Sequence, residues 1–287
     1  MLTREEVEQF KREGYTVHPG LLSPDEVDTL LQDIERLSWG NTLANHDKDR
    51  LEMEPNQPPD GTRVRRIYEP CTHYPLFRAL SDSEKLLESV EQLIGPDLTF
   101  HYSKINMKPP AIGSVVEWHQ DLSYYPLTNR DSLAVLFYLD DADQSNGCLT
   151  VIPGQHEGRL MDHTRGGLFQ GKITEPVDTS QEVPVEGKAG AAIFMHSMTP
   201  HSSTTNTSSR WRRTLILSYR AADAVPIYLG EMTTRNEAHT RHIRGKQLTV
   251  ARFSFSEFAL PKRPEVTASL YELQDLARKE EQARRIA

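Results

Sequence analysis

The spacing of apolar residues changes near residue 98, and this change constrains the fold of the chain most. Before it, "TREEVEQFKREG", "SPDEVDTLLQDIERL" and "SDSEKLLESVEQLIG" repeat apolar residues at helical intervals. After it come short runs rich in β-favouring residues: "LTFHYSKINMK", "SVVEWHQDLSYY", "SLAVLFYLDD", "CLTVIPG", "AAIFMHS" and "RRTLILSYR". A helical layer followed by many short strands predicts an antiparallel barrel or jelly roll with helices on one face.

The ends of the predicted helices carry capping residues. Thr3 and Gly14 bound the first helix, Ser23 and Pro24 begin the second, and Gly95 ends the third. We also expect a short strand in "TRVRRIYEP", a tight turn in "SNGC" and a polar helix in "ASLYELQDLARKEEQARR".

The 287 residues contain no internal repeat, linker or low-complexity segment, so we expect one domain. Within it, we expect residues 1–97 to form a mostly helical support, residues 98–222 the jelly-roll core, and residues 223–287 a C-terminal extension with a helix. The polar stretch 40–62 and the irregular stretch 157–182 are expected to be surface loops or lids.

Composition narrows the partners. A net charge of −8 argues against a general nucleic-acid binder, and no apolar run approaches the length of a membrane span. The two cysteines, Cys71 and Cys148, cannot form a disulfide framework, which indicates a reducing compartment. We expect a cytoplasmic protein, monomeric or homodimeric, that acts on a small molecule and binds neither nucleic acid nor membrane.

The stretch "EWHQDLSYY" carries a candidate metal site. If it is a strand, His119 and Asp121 project to one face and Gln120 to the other. An imidazole and a carboxylate are two of the three ligands of the 2-His-1-carboxylate triad, which leaves one face of a non-haem Fe(II) ion open. Taken alone, the pair is better explained as a polar pair on a strand edge, because such triplets occur by chance in many chains.

A second stretch, "FMHSMTPHSSTTNTSSRWRRTLILSY", supplies further candidates. His201 lies in a turn rich in Ser, Thr and Asn, and Arg212 opens a strand that carries Thr214 on the same face. A fixed guanidinium near an iron site suits the far carboxylate of a dicarboxylate co-substrate, and Ser203 can add a hydroxyl to it.

In combination, the segments "INMKPPAIGSVVEWHQDLSYYP", "NGCLTVIPGQHEG" and "HSSTTNTSSRWRRT" resemble the phytanoyl-CoA dioxygenase family of Fe(II)/2-oxoglutarate oxygenases, which also includes ectoine hydroxylase. The resemblance covers roughly residues 5–222. It implies a double-stranded β-helix, a cupin-like jelly roll, with an N-terminal helical layer. One departure lies at "TPHSS", where many members have glycine after the histidine.

The resemblance also implies roles for individual residues. The metal ligands would be His119, Asp121 and His201, with Arg212 completing the catalytic set. The residues implied at the co-substrate are Arg212, Ser203, Asn106, Lys104 and Arg66. The candidate substrate contacts are Tyr102, Lys104, Trp118, Gln120, Tyr125 and Thr214. His196 is the competing third ligand, but only His201 has the family spacing to Arg212.

Such an enzyme would use Fe(II), 2-oxoglutarate and O2 to hydroxylate a small molecule, releasing succinate and CO2. A carboxylate ligand argues against halogenation, because related halogenases lack it. Lys104 and the arginines at 63–66 favour an anionic substrate, such as a carboxylate, phosphonate or acyl thioester.

Three alternatives stay open. Another oxidation, such as desaturation, epoxidation or ring rearrangement, would use the same residues. A non-catalytic jelly-roll binding protein would be expected to have a broken triad or to lack the arginine. A zinc hydrolase could use two histidines and an aspartate but would have no use for Arg212.

Overall fold

Two facing antiparallel sheets, a separate pair of short strands and a layer of helices make up the described part of the chain in the computed structural model, which covers residues 1–111, 114–227, 239–257 and 270–286. The helices are α1 (Arg4–Glu13), α2 (Pro24–Ser38), α3 (Pro70–His73), α4 (Pro75–Ser81), α5 (Glu84–Ile94) and α6 (Leu270–Ile286). The strands are β1 (Tyr15–His18), β2 (Leu51–Met53), β3 (Val64–Tyr68), β4 (Leu98–Lys108), β5 (Val116–His119), β6 (Ser132–Tyr138), β7 (Leu149–Val151), β8 (Thr164–Arg165), β9 (Leu168–Phe169), β10 (Val183–Val185), β11 (Ala192–His196), β12 (His201–Ser203), β13 (Arg212–Ala221) and β14 (Arg241–Arg244).

The larger sheet has the strand order β1-β11-β6-β13-β4-β3-β2, with β14 also paired to β4. The smaller sheet has the order β10-β7-β12-β5, and β8 pairs with β9 alone. The strand pairs are antiparallel throughout the described chain. The expected mainly β architecture with flanking helices is confirmed.

The larger sheet separates two apolar cores, and β6 shows how. Leu133, Val135 and Phe137 pack with the buried faces of the helices, whereas Leu136 and Tyr138 face the smaller sheet. This division follows from the alternation of side chains along a strand. All seven residues of β6 are buried, as expected for a strand covered on both faces.

The helix ends follow the predicted local chemistry. The Thr3 side chain accepts a hydrogen bond from the Glu6 amide while the Glu6 carboxylate accepts one from the Thr3 amide, and Ser23 and Glu26 repeat the arrangement at α2. Helix α1 ends at Gly14, whose φ of 78° is in the left-handed region.

Several elements differ from the prediction. Residues 1–97 contribute the three strands β1, β2 and β3 to the larger sheet, but the sequence predicts only β3, in "TRVRRIYEP". Strand β2 lies within the stretch 40–62, which is predicted to be a loop. The short helices α3 and α4 were not predicted, and the stretch 157–182 contains the hairpin of β8 and β9. The "SNGC" turn is a 3₁₀ turn followed by a left-handed Gly147.

The C-terminal helix is present from Leu270, whereas the predicted start at Ala268 and Ser269 lies outside the described residues. None of the helices in the described part of the chain combines the length and apolar character needed to cross a bilayer.

Candidate active site

His119 and His201 are brought together by the pairing of β5 with β12. The two residues are direct partners across the strands, and their ring centres lie 4.0 Å apart. Asp121 Oδ1 lies 3.7 Å from His119 Nε2 and 3.9 Å from His201 Nε2. One potential ligand atom from each residue lies within 4.8 Å of the others, so the three can share one metal ion.

Asp121 reaches this position by a different route from the one the sequence predicts. Strand β5 ends at His119, and Asp121 begins a 3₁₀ turn, so the two residues do not share a strand face. Gln120 keeps an extended backbone between them, with φ −117° and ψ 128°. The prediction of a shared strand was wrong, although the carboxylate still lies beside both imidazoles.

Backbone carbonyls fix the orientation of both imidazoles. Nδ1 of His119 lies 2.8 Å from the Glu117 carbonyl oxygen, and Nδ1 of His201 lies 3.0 Å from that of Thr199. A carbonyl can only accept, so each Nδ1 carries the proton and each Nε2 keeps a free lone pair. Burial lowers the pKa of His201, and lowers that of His119 well below its usual value. Both rings are therefore neutral donors suited to a metal.

Arg212 lies on the facing larger sheet and is buried. Its Nη1 donates to the Thr214 hydroxyl at 2.9 Å, whereas its Nε is buried without a hydrogen-bond partner among the described residues. Burial lowers the pKa of this guanidinium, but an arginine stays protonated in proteins. A buried cation with an unsatisfied donor fits a carboxylate.

The Arg212 side chain and the three potential ligands line the same small cavity of about 50 Å³ between the sheets. Asn106, Lys104, Ser203 and Thr214 also line it. The residues expected at the co-substrate thus lie around one cavity, with Arg66 as the exception.

Arg66 lines a second, larger cavity and reaches the first through Asn106. Its Nε donates to Asn106 Oδ1 at 3.0 Å, and its Nη1 lies 3.7 Å from a carboxylate oxygen of Glu52. Burial alone would lower the pKa of Arg66, but the negative charge of Glu52 raises it. Arg66 therefore has a carboxylate partner within the protein, whereas no ion pair of Arg212 is found among the described residues.

The larger cavity has a volume of about 820 Å³ and opens beside the triad. Tyr102, Lys104 and Tyr125, three of the expected substrate contacts, line it together with His119 and Asp121. Lys104 lines both cavities. Burial lowers the pKa of its ammonium to about 8, with the charge of Asp121 acting in the opposite direction.

The other three expected substrate contacts lie elsewhere. Thr214 is in the small cavity and accepts the Arg212 hydrogen bond. Gln120 is fully buried; its amide donates to the Met198 carbonyl at 2.7 Å and accepts from the Met161 amide at 2.7 Å, which makes it a structural residue. Trp118 lines neither of the two cavities.

His196, the competing ligand, has structural contacts instead. It is buried on β11, its ring lies 5.3 Å from that of His156, and its Nδ1 accepts a hydrogen bond from the Met198 amide at 3.1 Å. Among the described residues, the potential metal-binding group contains His201 and not His196.

Two residues near the site were missed in the sequence. The Tyr124 ring meets that of His119 edge-on at 5.6 Å. Glu69 lines the larger cavity with a buried carboxyl group, and burial raises its pKa to about 8. Glu69 also has a left-handed backbone with φ 50°. No local sequence signal marks either residue, because both depend on contacts between distant segments.

Comparison with known proteins identifies the family. The model of the family described as phytanoyl-CoA dioxygenase (PhyH) matches residues 10–214. The chain belongs to the phytanoyl-CoA dioxygenase family. Within the match lie all three potential ligands and Arg212.

Relatives and solved structures agree with this assignment. A probable alpha-ketoglutarate-dependent hypophosphite dioxygenase of Stutzerimonas stutzeri is 31% identical over 230 residues, covering 78% of this chain and 80% of the relative. A methylphosphonate hydroxylase of Gimesia maris is 30% identical over 221 residues, covering 77% and 81%. The structure of EctD from S. alaskensis with 2-oxoglutarate and 5-hydroxyectoine has a TM-score of 0.65 and 25% identity, covering 78% of this chain and 77% of EctD.

The expected enzyme class and fold are thereby confirmed. This member of the phytanoyl-CoA dioxygenase family is a jelly-roll dioxygenase that depends on iron and 2-oxoglutarate. The residues present fit both groups. Two neutral imidazoles and a carboxylate suit Fe(II), and the unsatisfied buried Arg212 suits a dicarboxylate.

Proposed function

We propose that this enzyme hydroxylates a small organic oxyanion of the phosphonate or carboxylate class, releasing succinate and CO2. The observation that carries the proposal is the position of Lys104, a partly buried cation in the wall shared by the two cavities beside His119 and Asp121. From there its ammonium can attract an anion bound in the larger cavity next to the metal site.

In this proposal, His119, Asp121 and His201 hold the iron through Nε2, a carboxylate oxygen and Nε2. Bound iron supplies the oxidation of the substrate that is coupled to decarboxylation of 2-oxoglutarate. The chain's own contribution is orientation. The carbonyls of Glu117 and Thr199 hold the imidazoles, and all three potential ligands are buried.

Arg212 would bind the distal carboxylate of 2-oxoglutarate, with Ser203 in the same cavity wall. Its Nε is free for this contact, while Thr214 holds Nη1 and fixes the plane of the guanidinium. Asn106, held by Arg66, would contribute polar groups on the same side.

Two features support an oxyanion substrate. Lys104 lines the larger cavity, whereas the charge of Arg66 in that lining is met by Glu52. The relatives at 31% and 30% identity are described as acting on hypophosphite and methylphosphonate, which are small phosphorus oxyanions. The carboxylate of Asp121 supports hydroxylation, since three protein ligands together with 2-oxoglutarate and dioxygen would leave no position on the metal for a halide.

The proposal is tested by offering the iron-loaded enzyme methylphosphonate, short carboxylates and, as an uncharged match, dimethyl methylphosphonate. We expect an oxyanion to stimulate succinate release and to gain one oxygen atom in the mass spectrum, and the neutral ester to do neither. Stimulation by the neutral ester alone would contradict the proposal.

Lys104→Met tests the anion contact, because methionine keeps the length of the side chain and removes its charge. The KM for the oxyanion should rise about tenfold, the loss of one charge-assisted contact of about 1.4 kcal/mol. Lys48→Met is the control, since Lys48 lines the same cavity but is exposed. An unchanged KM in Lys104→Met would count against the anion site.

We further propose that residues 1–287 act as one catalytic domain with the support, core and extension given above, in the cytoplasm, as a monomer or homodimer. The single-domain proposal is supported by β1 and β13 lying in one sheet. The reducing location is supported by Cys71 and Cys148, which are buried free thiols.

A further inference from the structure

Helix α6 lies outside the residues that match the family but contacts the candidate active site. The family match ends at residue 214, and α6 begins at Leu270. Tyr271, Gln274 and Arg278 are spaced by three and four residues and therefore lie on one face of the helix. We call these three side chains the α6 clamp.

Gln274 bridges two segments beside the metal site. Its Oε1 accepts a hydrogen bond from the Glu117 amide at 3.0 Å, and its Nε2 donates to the Gly171 carbonyl at 2.7 Å. The side chain is fully buried. Glu117 is the residue whose carbonyl oxygen holds Nδ1 of His119 at 2.8 Å. The residue whose carbonyl orients His119 is thus held through its own amide by α6.

Arg278 contacts Glu117 a second time. Its Nη1 donates to Glu117 Oε1 at 2.7 Å, in an ion pair whose side chains are 30% and 26% exposed. One α6 side chain therefore holds the main chain of Glu117 and another holds its carboxylate. Two contacts to one residue restrict both its position and its rotation more than either contact alone.

The Gly171 carbonyl links Gln274 to Tyr124, a second neighbour of His119. It accepts hydrogen bonds from Gln274 and from the Tyr124 hydroxyl. The Tyr124 ring packs edge-on against the His119 ring. A side chain at Gly171 would meet Leu273 and the Tyr124 hydroxyl, with its Cβ 3.2 Å from an atom of each.

Tyr271 connects α6 to the co-substrate side. Its ring lies under the guanidinium groups of Arg65 and Arg66, at 4.4 and 4.8 Å. Arg66 in turn donates to Asn106, which lines the small cavity. The clamp therefore reaches both the metal side and the co-substrate side of the site.

We propose that Gln274 and Arg278 are positioning residues for His119. They hold Glu117 so that its carbonyl directs Nε2 of His119 towards the metal, and the affinity of the site for metal depends on a helix outside the family match. This inference rests on the proposed role of His119 as a ligand.

The test is anaerobic titration of the full-length apo-protein with Fe(II), comparing wild type with Gln274→Leu and Arg278→Met. Residues that orient a metal ligand typically contribute about tenfold or more to metal affinity. We expect Fe(II) binding to weaken about tenfold in Gln274→Leu and to a smaller extent in Arg278→Met. Lys279→Ala is the control, because Lys279 is exposed on the same helix.

Gln274→Glu separates the two bonds of Gln274. A glutamate can still accept from the Glu117 amide but, when ionised, cannot donate to Gly171, so its Fe(II) affinity should fall between those of wild type and Gln274→Leu. Thermal unfolding of each apo-variant distinguishes positioning from general damage. Weaker metal binding at a near wild-type Tm supports the proposal.

Equal Fe(II) affinity in wild type, Gln274→Leu and Arg278→Met would overturn the proposed positioning role of the α6 clamp, while the proposed metal site would still stand. If Gln274→Leu does not fold, the test is made with Arg278→Met, whose side chain is partly exposed in the wild type. An unchanged Fe(II) affinity in Arg278→Met would then overturn the proposal. A wild-type protein that binds no Fe(II) would overturn the proposed metal site, and the clamp with it.

Discussion

His119 and His201 face each other across the pair of strands β5 and β12, with their ring centres 4.0 Å apart. Strand pairing therefore assembles the two imidazoles, and only Asp121 depends on a turn. Each Nδ1 is bound to the backbone carbonyl of the residue two positions earlier, Glu117 for His119 and Thr199 for His201. The segments that hold those carbonyls therefore also orient the imidazoles.

Arg212→Lys should weaken the binding of 2-oxoglutarate without affecting the binding of the metal. Lysine keeps the charge but loses the planar fork and the bond to Thr214. We expect the Kd for 2-oxoglutarate to rise about tenfold or more, which corresponds to about 1.4 kcal/mol or more. The measurement is an anaerobic titration of the Fe(II)-loaded protein with 2-oxoglutarate, followed by visible absorbance.

Arg213→Lys is the matched control for this change. Arg213 is the next residue on β13, and its guanidinium binds Asp140 at 2.9 and 2.6 Å instead of lining the small cavity. Its replacement should leave the Kd for 2-oxoglutarate unchanged. Equal weakening in the two variants would mean that Arg212 has no specific role.

Gly14→Ala, at the end of helix α1, should disturb the contacts that hold His201 in the candidate metal site. A Cβ at Gly14 would lie 2.5 Å from the Thr199 hydroxyl oxygen and 2.6 Å from the His156 ring, and Thr199 carries the carbonyl that holds His201. We expect a loss of about 1–3 kcal/mol from overpacking, in addition to the strain of φ +78°, and weaker Fe(II) binding.

Gly20→Ala separates strain from crowding. Gly20 has a similar φ of +66°, but no atom lies within 4 Å of the position of its Cβ. Urea unfolding should show the smaller, strain-only loss, with unchanged Fe(II) affinity. The same loss of stability and affinity in both variants would show that the Thr199 contact is irrelevant.

Glu69 should make the stability of the protein depend on pH. Burial raises the pKa of its carboxyl from 4.5 to about 8, so the folded state favours the protonated form. The contribution of this group is fully present below pH 4.5 and is lost as the pH rises through about 8. Between these values the free energy of unfolding should fall by about 1.4 kcal/mol per pH unit.

Glu69→Gln removes this titration. Urea unfolding between pH 5.5 and 8.5 should give a shallower fall for the variant, and the difference from wild type should grow with pH. Glu5→Gln, at an exposed position of α1, should follow wild type. Parallel curves of unfolding free energy against pH for Glu69→Gln and wild type would contradict the raised pKa of the buried Glu69 carboxyl.

Features that depend on neighbouring residues could be predicted from the sequence. The capping boxes at Thr3 and Ser23 each join residues three apart, and the β-rich run "SLAVLFYLDD" predicts strand β6. The 3₁₀ turn at Asp121 was missed because the predicted strand was continued past His119 to Tyr124 and Tyr125, whereas the chain turns at Asp121, where the Leu122 amide donates to the Ser197 carbonyl. That partner is remote in sequence.

The types of the metal ligands could be predicted from the sequence, but the residues that hold those ligands in place could not. His119, Asp121, His201 and Arg212 belong to motifs with recognisable spacing. Gln120 was assigned to the substrate, although distant backbone groups of Met161 and Met198 bind its amide. The contacts of the α6 clamp likewise join remote segments, and no local pattern in one sequence indicates them.

We propose that two imidazoles and the Asp121 carboxylate hold one iron beside Arg212, and the visible absorbance of the iron-loaded protein tests this arrangement. Under anaerobic conditions, wild type with Fe(II) and 2-oxoglutarate should develop a weak visible charge-transfer band, and Asp121→Ala should lose it together with succinate release in air. A band and succinate yield in Asp121→Ala equal to those of wild type would contradict the claim.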